Sequence, residues 1–286
     1  MIEGLKQLEE TSFLREEIAG KVEEFLDLYK LRPIKDNNGG MKAPHMFAVW
    51  FMLKKLNPDI VVESGVWKGQ STWLLRQACP NAKIISIDLN LEVREYVDDT
   101  VTYSDKDFSE HDWSAITENS VVFFDDHQNA YKRIQQCKWF GFKHIIFEDN
   151  YPPSQGDCYS LKKAFAHAGF EPINSITATN EKSFFKRKFL KLVETVGITP
   201  ITLTPQYESI KVLPNSHDAK MIKKNIEIYY EFPPVIKTEK TRWGDDWDDV
   251  NYPTPEPLFE KPELPKMQIF LDEAVYYTWI CYVKLK

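Results

Sequence analysis

Apolar residues recur along this chain with two distinct periods. Over residues 2–29, Leu5, Leu8, Phe13, Leu14, Ile18, Val22, Phe25 and Leu28 fall at helical spacing and predict an amphipathic helix. A polar loop through Asn37, Asn38, Gly39 and Gly40 follows, and a second helix is predicted over 45–56, stopped by Asn57 and Pro58. Short unbroken apolar runs then take over at 60–62, 84–87, 101–103, 121–124 and 144–147, with helical stretches between and after them at 71–78, 91–97, 130–140 and 160–168. Short apolar strands alternating with helices predict a parallel sheet covered on both faces. After Gly169 the regularity loosens. A basic helix is predicted over 182–193, a mixed helix near 217–230, a proline-rich surface loop or lid over 237–265, and a final strand over 276–285 that can add antiparallel to the sheet.

Composition narrows the class. A chain of 286 residues that is 43% hydrophobic can bury the core of one large α/β domain. Its parts read as N-terminal helices (1–58), a ligand-binding core (59–170), an insertion and lid (171–270) and a final strand (271–286). A net charge of −7 removes any general attraction to nucleic acid or to anionic membrane surfaces. The N-terminus lacks an apolar secretory core and no apolar run reaches membrane-span length, so a cytoplasmic protein is expected. Cys79, Cys137, Cys158 and Cys281 lack paired spacing and read as reduced core thiols.

Four places can carry chemistry. Glu63-Ser64-Gly65-Val66-Trp67-Lys68-Gly69 runs from a buried strand through a glycine turn into a helix near Ser71, letting a ligand approach the backbone beside free helix N–H groups. The spacing is neither G-x-G-x-x-G nor a phosphate loop. Asp88 ends the next strand, where an acid can accept hydrogen bonds from a ribose diol or simply cap a helix. Asp125, Asp126 and His127 end one later strand, and Glu148, Asp149 and Asn150 the next. Such oxygen donors suit Mg²⁺, or they cap helices and face water. The turn 151–157 and the Trp243, Trp247 and Asp cluster of the proline-rich loop can wall a substrate site, the tryptophans stacking on a sugar ring, or serve only as solvated loops.

Together these residues resemble class I S-adenosylmethionine-dependent methyltransferases, in particular the metal-dependent catechol-type and sugar or natural-product O-methyltransferases, including the cephalosporin hydroxylase-like group. The likeness covers roughly residues 37–169. It implies a doubly wound Rossmann-like sheet, mostly parallel with a C-terminal antiparallel strand. For the cofactor S-adenosylmethionine it implies Met41, Glu63, Gly65, Trp67, Gly69, Ser71, Asp88, Asp107 and Asp125 as binding residues. For Mg²⁺ it implies Asp126, Asp149 and Asn150. The turn Gly65-Val66-Trp67-Lys68-Gly69 is similar to that of antibiotic-sugar O-methyltransferases, which implies a sugar or glycoside hydroxyl as acceptor. Where catechol-type enzymes carry a catalytic lysine this chain has Asn129, so the catalytic candidates are His127 as base, Asp125 behind it and Asp126 through the metal. The partner is then a small molecule, with no nucleic acid or membrane, and a homo-oligomer is compatible. A non-catalytic cofactor-binding or scaffold protein is the competing class, since fold alone does not establish function. A dioxygenase lacks its two-histidine motif, and a nicotinamide enzyme its glycine fingerprint.

Overall fold

The computed structural model describes residues 13–168, 215–242 and 244–286. The basic helix expected over 182–193, the first part of the N-terminal helix and Trp243 lie outside the described residues.

Seven strands form one sheet in the order β3-β2-β1-β4-β5-β7-β6. They are β1 (Ile60–Ser64), β2 (Lys83–Ile87), β3 (Thr102–Ser104), β4 (Ser120–Phe124), β5 (His144–Phe147), β6 (Ile226–Glu231) and β7 (Cys281–Leu285). Strands β1 to β5 pair parallel, whereas β7 runs antiparallel to both β5 and β6. Strand β7 is therefore the one reversed strand, as the sequence led us to expect.

The pleat sends alternate side chains to two separate cores. Val61, Ile84, Val121, Phe123 and Ile146 pack under α1 (Arg15–Tyr29), α2 (Ala43–Leu56) and α3 (Gln70–Ala78). Val62, Val122, Phe124, Ile145 and Phe147 pack under α4 (Ala130–Phe140), α5 (Leu161–Phe165) and α6 (Ser216–Asn225). Helix α2 is buried without a break from Ala43 to Leu53, because α1, α3 and the late helix α7 (Gln268–Asp272) enclose it against the sheet. All four cysteines are buried and unpaired, as their spacing implied. Among the described residues no helix is long and apolar enough to cross a membrane.

Several boundaries differ from the sequence reading. The mixed helix expected to reach residue 230 stops at Asn225, and Ile226–Glu231 pairs with β7 as a strand. Its apolar residues satisfy either period over so short a run, and the open edge of β7 decides between them. The helix expected over 91–97 is one 3-10 turn, Leu91–Val93, the one over 160–168 is only Leu161–Phe165, and the last strand begins at Cys281 rather than residue 276. Among its described residues the 237–265 segment is mostly exposed, as a surface loop should be, with Thr241 and Leu258 buried. Trp247 packs 5.1 Å from the Trp279 ring centroid, and the Trp279 indole donates to Thr254 Oγ1 at 3.0 Å.

Candidate functional site

The strand order places a switch point between β1 and β4, whose connections leave in opposite directions along the sheet. In open α/β sheets ligands bind outside the C-terminal ends of such strands. Gly65 lies there, with φ +100°, and a Cβ on it would overlap the Asp125 carbonyl oxygen at the end of β4. Gly69, with φ +91°, caps α3 and lies against the Tyr96 carbonyl. The residues between them make a tight turn held by Asp88, whose Oδ2 accepts the Val66 and Trp67 amides, both at 2.9 Å. Asp88 therefore fixes the turn, with its Oδ1 on the Asn90 amide.

Glu63 is fully buried beneath this turn. One carboxylate oxygen accepts from Thr72 at 2.6 Å and Ser86 at 2.5 Å, tying β1 to β2 and to the start of α3, and Ser71 adds a further hydrogen bond. The other oxygen, Oε1, is buried without a partner. Burial pushes the Glu63 carboxyl above its usual range despite the three hydroxyls. On the rim of the turn, Trp67 is 49% exposed and Leu89 75% exposed, an apolar flank beside Asp88 that a flat aromatic ring could cover. Gly39 approaches the Trp67 indole, so the loop before α2 reaches the turn, while Met41 is buried in the core and Asn37 holds its carbonyl at 3.1 Å. Asp107 caps the 3-10 turn Phe108–Glu110 and is gripped by Arg133 at 2.7 and 3.1 Å; that guanidinium holds its carboxyl well below the usual range.

On the opposite side of the switch point, side chains at the ends of β4 and β5 converge. The ligand atoms of Asp125, His127 and Asp149 all lie within 4.8 Å of one another, beside a crevice of about 10 Å³ that has room for one water-sized group. His127 Nδ1 lies 2.9 Å from Asp149 Oδ2 and 3.0 Å from Asp157 Oδ1. These hydrogen bonds push the imidazole up to about 11, so it is protonated at neutral pH and is not a free base in this arrangement. Burial disfavours charge on Asp149, but the hydrogen bonds from His127 and Glu148 outweigh it and keep its carboxyl below the usual range. Burial and the neighbouring Glu148 and Asp149 raise Asp125 well above it. Behind this group, buried His45 on α2 lies 2.8 Å from Glu148 Oε1. Burial lowers His45 to about 4 and raises Glu148, so this contact joins neutral partners rather than ions. His127 holds φ +52°, a left-handed conformation that costs a non-glycine residue energy and recurs at functional sites.

The expected ligand trio is not brought together. Successive residues at a strand end face opposite ways. Asp126 turns from Asp149 toward α4, where its Oδ2 meets Arg133 and the Ser64 hydroxyl, both at 2.7 Å. Asn150 turns into the core. It donates to Tyr229 at 2.8 Å and to the Trp279 carbonyl at 3.0 Å, and accepts from the Lys162 amide at 2.9 Å. The structure instead groups Asp149 with Asp125 and His127. Two carboxylates and an imidazole fit a divalent cation, and Asp149 Oδ2 is buried without a well-directed hydrogen bond. We expect Asn150→Ala to cost about 2–4 kcal/mol of unfolding free energy, because three buried groups lose their partner. Urea denaturation checks it; lost activity at full stability would make Asn150 a ligand after all.

Sequence reasoning missed His45, Glu148 as a buried acid, and Arg133, which bridges the ends of β3 and β4. None carries a motif signal, since each becomes significant only through a partner distant in sequence.

No family model and no curated protein matches the chain. Among solved structures, it is similar to CmcI-N160 in its apo form, at 18% identity over 49% of this chain and 69% of that one, with a TM-score of 0.36. It is similar to the SAH-bound Podospora anserina methyltransferase PaMTH1 at 13% identity, over 49% of this chain and 64% of that one, with a TM-score of 0.34. Cofactor-bound Rv0187 from MTB matches at 14% identity over 65% and 82% of the two chains, with a TM-score of 0.34. A likeness of this order carries no functional inference. By its strand order, the one reversed strand among the described residues and the glycine turn at the switch point, the chain has a doubly wound, mostly parallel Rossmann-like sheet.

Proposed function

We propose that the protein is an S-adenosylmethionine-dependent O-methyltransferase that acts on a hydroxyl of a small polar acceptor, a sugar or glycoside being the class its turn resembles, with help from a divalent cation such as Mg²⁺. The observation that carries this reading is the pairing of a glycine turn and a group of acids on the two sides of the β1–β4 switch point. One side is the glycine turn with the unpartnered Glu63 Oε1 beneath it and Asp88 beside it; the other is the group Asp125, His127 and Asp149. The first side suits a cofactor with an amino group, a ribose diol and a flat base. In this reading Glu63 Oε1 accepts from the amino group, Asp88 faces the diol, and Trp67 and Leu89 flank the base.

The second side suits a hydroxyl. A divalent cation held by Asp125 and Asp149, and by His127 once the ring has given up its extra proton, would supply Lewis acidity that lowers the hydroxyl pKa. His127 Nδ1 hydrogen-bonds Asp157 and lies 2.9 Å from Asp149 Oδ2, and in this reading the Asp149 carboxylate, rather than the imidazole, is the first proton acceptor for an arriving hydroxyl. The acceptor oxygen then bonds to the sulfonium methyl as the carbon–sulfur bond breaks, giving a methyl ether and the thioether S-adenosylhomocysteine. The protein contributes alignment across the switch point and exclusion of water.

Calorimetric titration of S-adenosylhomocysteine tests the reading. The wild type is expected to bind in the micromolar range, and Asp88→Ala to bind about tenfold or more weakly through the loss of hydrogen bonds to a charged acceptor. No binding by the folded wild type would overturn it. Binding without turnover on any hydroxylated acceptor, with or without Mg²⁺, would favour a non-catalytic cofactor-binding protein.

A further inference from the structure

Two cations from distant segments lie near one half-buried ring beside the acid group. Lys42, immediately before α2, places its ammonium 5.7 Å from the Tyr276 ring centroid, and Arg242, on the 237–265 loop, places its guanidinium 5.8 Å from the same centroid. Tyr276 is tied to the site through its backbone: its carbonyl meets His45 Nε2, and His45 Nδ1 lies against Glu148, the residue before Asp149. Arg242 is tied to it a second way, donating to the Tyr151 hydroxyl at 3.1 Å in the turn that follows β5. The two charges therefore sit at one edge of the acid group. Lys42 makes no ion pair among the described residues, and Glu273, the acid on that side, accepts from the Ala43 amide at 2.7 Å and the Tyr29 hydroxyl at 3.1 Å. Beside Arg242, the Thr241 side chain is 4% exposed, and neither its hydroxyl nor the buried Trp247 indole N–H on the same loop has a partner among the described residues. Both are donors that await an acceptor.

We propose that Lys42 and Arg242, with the Thr241 hydroxyl as a neighbouring neutral donor, form a recognition site for a carboxylate belonging to one of the two substrates. A planar guanidinium, an ammonium and neutral donors are the complement of a carboxylate. In a chain of net charge −7, two cations gathered at the rim of an acid group attract an anion that the acids alone would repel. The inference rests on the methyltransferase reading, which supplies two sources of that chemistry: the methionine carboxylate of the cofactor, or an acidic group on the acceptor, such as that of a uronic acid.

The test uses the full chain, as wild type, Arg242→Gln and Lys42→Met, with thermal melts confirming the fold of each. One arm compares the affinities of S-adenosylhomocysteine and 5′-methylthioadenosine, which lacks the carboxylate. The other compares glucuronate with methyl glucoside, and 3,4-dihydroxybenzoate with catechol, on protein with and without S-adenosylhomocysteine. The wild type is expected to prefer the carboxylate-bearing member in one arm, and each substitution to cut that preference by about tenfold, as for loss of a charge-assisted hydrogen bond. The arm that responds identifies the source. No carboxylate preference in either arm, or a preference that both variants keep, overturns the proposal. Failure of the wild type to bind either adenosine compound would overturn the cofactor reading, while the acid arm without cofactor still decides the site.

Discussion

The Asp149→Asn protein is expected to bind S-adenosylhomocysteine as the wild type does and to lose methyl transfer by about 100-fold or more, the range removed with a general base or a metal ligand. Asp149 is the residue on which the acid side depends. Its Oδ2 lies 2.9 Å from His127 Nδ1, and it contributes one of the three atoms that lie within 4.8 Å of one another. The amide is nearly the same shape, so the strand end should stay in place, but it lacks the charge that draws a cation and the basicity that accepts a proton. Steady-state kinetics on a responsive acceptor measures the loss, and melting with and without Mg²⁺ or Mn²⁺ reads the cation separately: the wild type should gain stability and Asp149→Asn should not. Wild-type turnover in the variant would remove Asp149 from the mechanism.

Gly65→Ala carries the second large effect, and it falls on folding. At φ +100° an alanine is strained wherever it stands, and here its Cβ would overlap the Asp125 carbonyl, which is backbone and cannot swing aside. Either the turn or the end of β4 must move, and both line the switch point. We expect a loss of at least about 3 kcal/mol, which for a chain of this size lowers the melting temperature by on the order of 10 °C, together with loss of cofactor binding. Gly20 is the control. It lies exposed in α1 with nothing within 4 Å of its would-be Cβ, so Gly20→Ala should stabilise the helix by about 0.5–1 kcal/mol. Equal melting temperatures for the two alanine variants would contradict this account.

Much of the sheet was legible in the sequence because a strand buried on both faces is mostly apolar, and the short apolar runs 60–62, 84–85, 121–124 and 145–147 mark β1, β2, β4 and β5. The glycine turn was legible for a related reason. A chain that leaves a buried strand and turns at once into a helix needs positive φ, and Gly65 and Gly69 provide it. The end of α6 was not legible, since Ile226, Ile228, Tyr229 and Tyr230 fit a helical stripe as well as a strand until β7 offers them hydrogen bonds.

By itself, then, the sequence determined which strand ends carry acids: Glu63 lies within the end of β1, acids follow β2, β4 and β5, and the parallel arrangement sends all of those ends to one edge of the sheet. What only the tertiary structure decided is which member of each pair joins His127. Asp125 and Asp126 are neighbours in the chain and both line the crevice, as Asp149 and Asn150 are neighbours, but Arg133 and Ser64 hold Asp126 while Tyr229 and the Trp279 carbonyl hold Asn150, so the atoms brought within 4.8 Å of one another are those of Asp125, His127 and Asp149. The same holds for Lys42 and Arg242, which no spacing connects and which meet because the 237–265 segment seats Trp247 against Trp279. Local pattern specifies the elements and their ends, whereas contacts between residues far apart in the chain follow from closing a core around the sheet, and those contacts orient the side chains of the site.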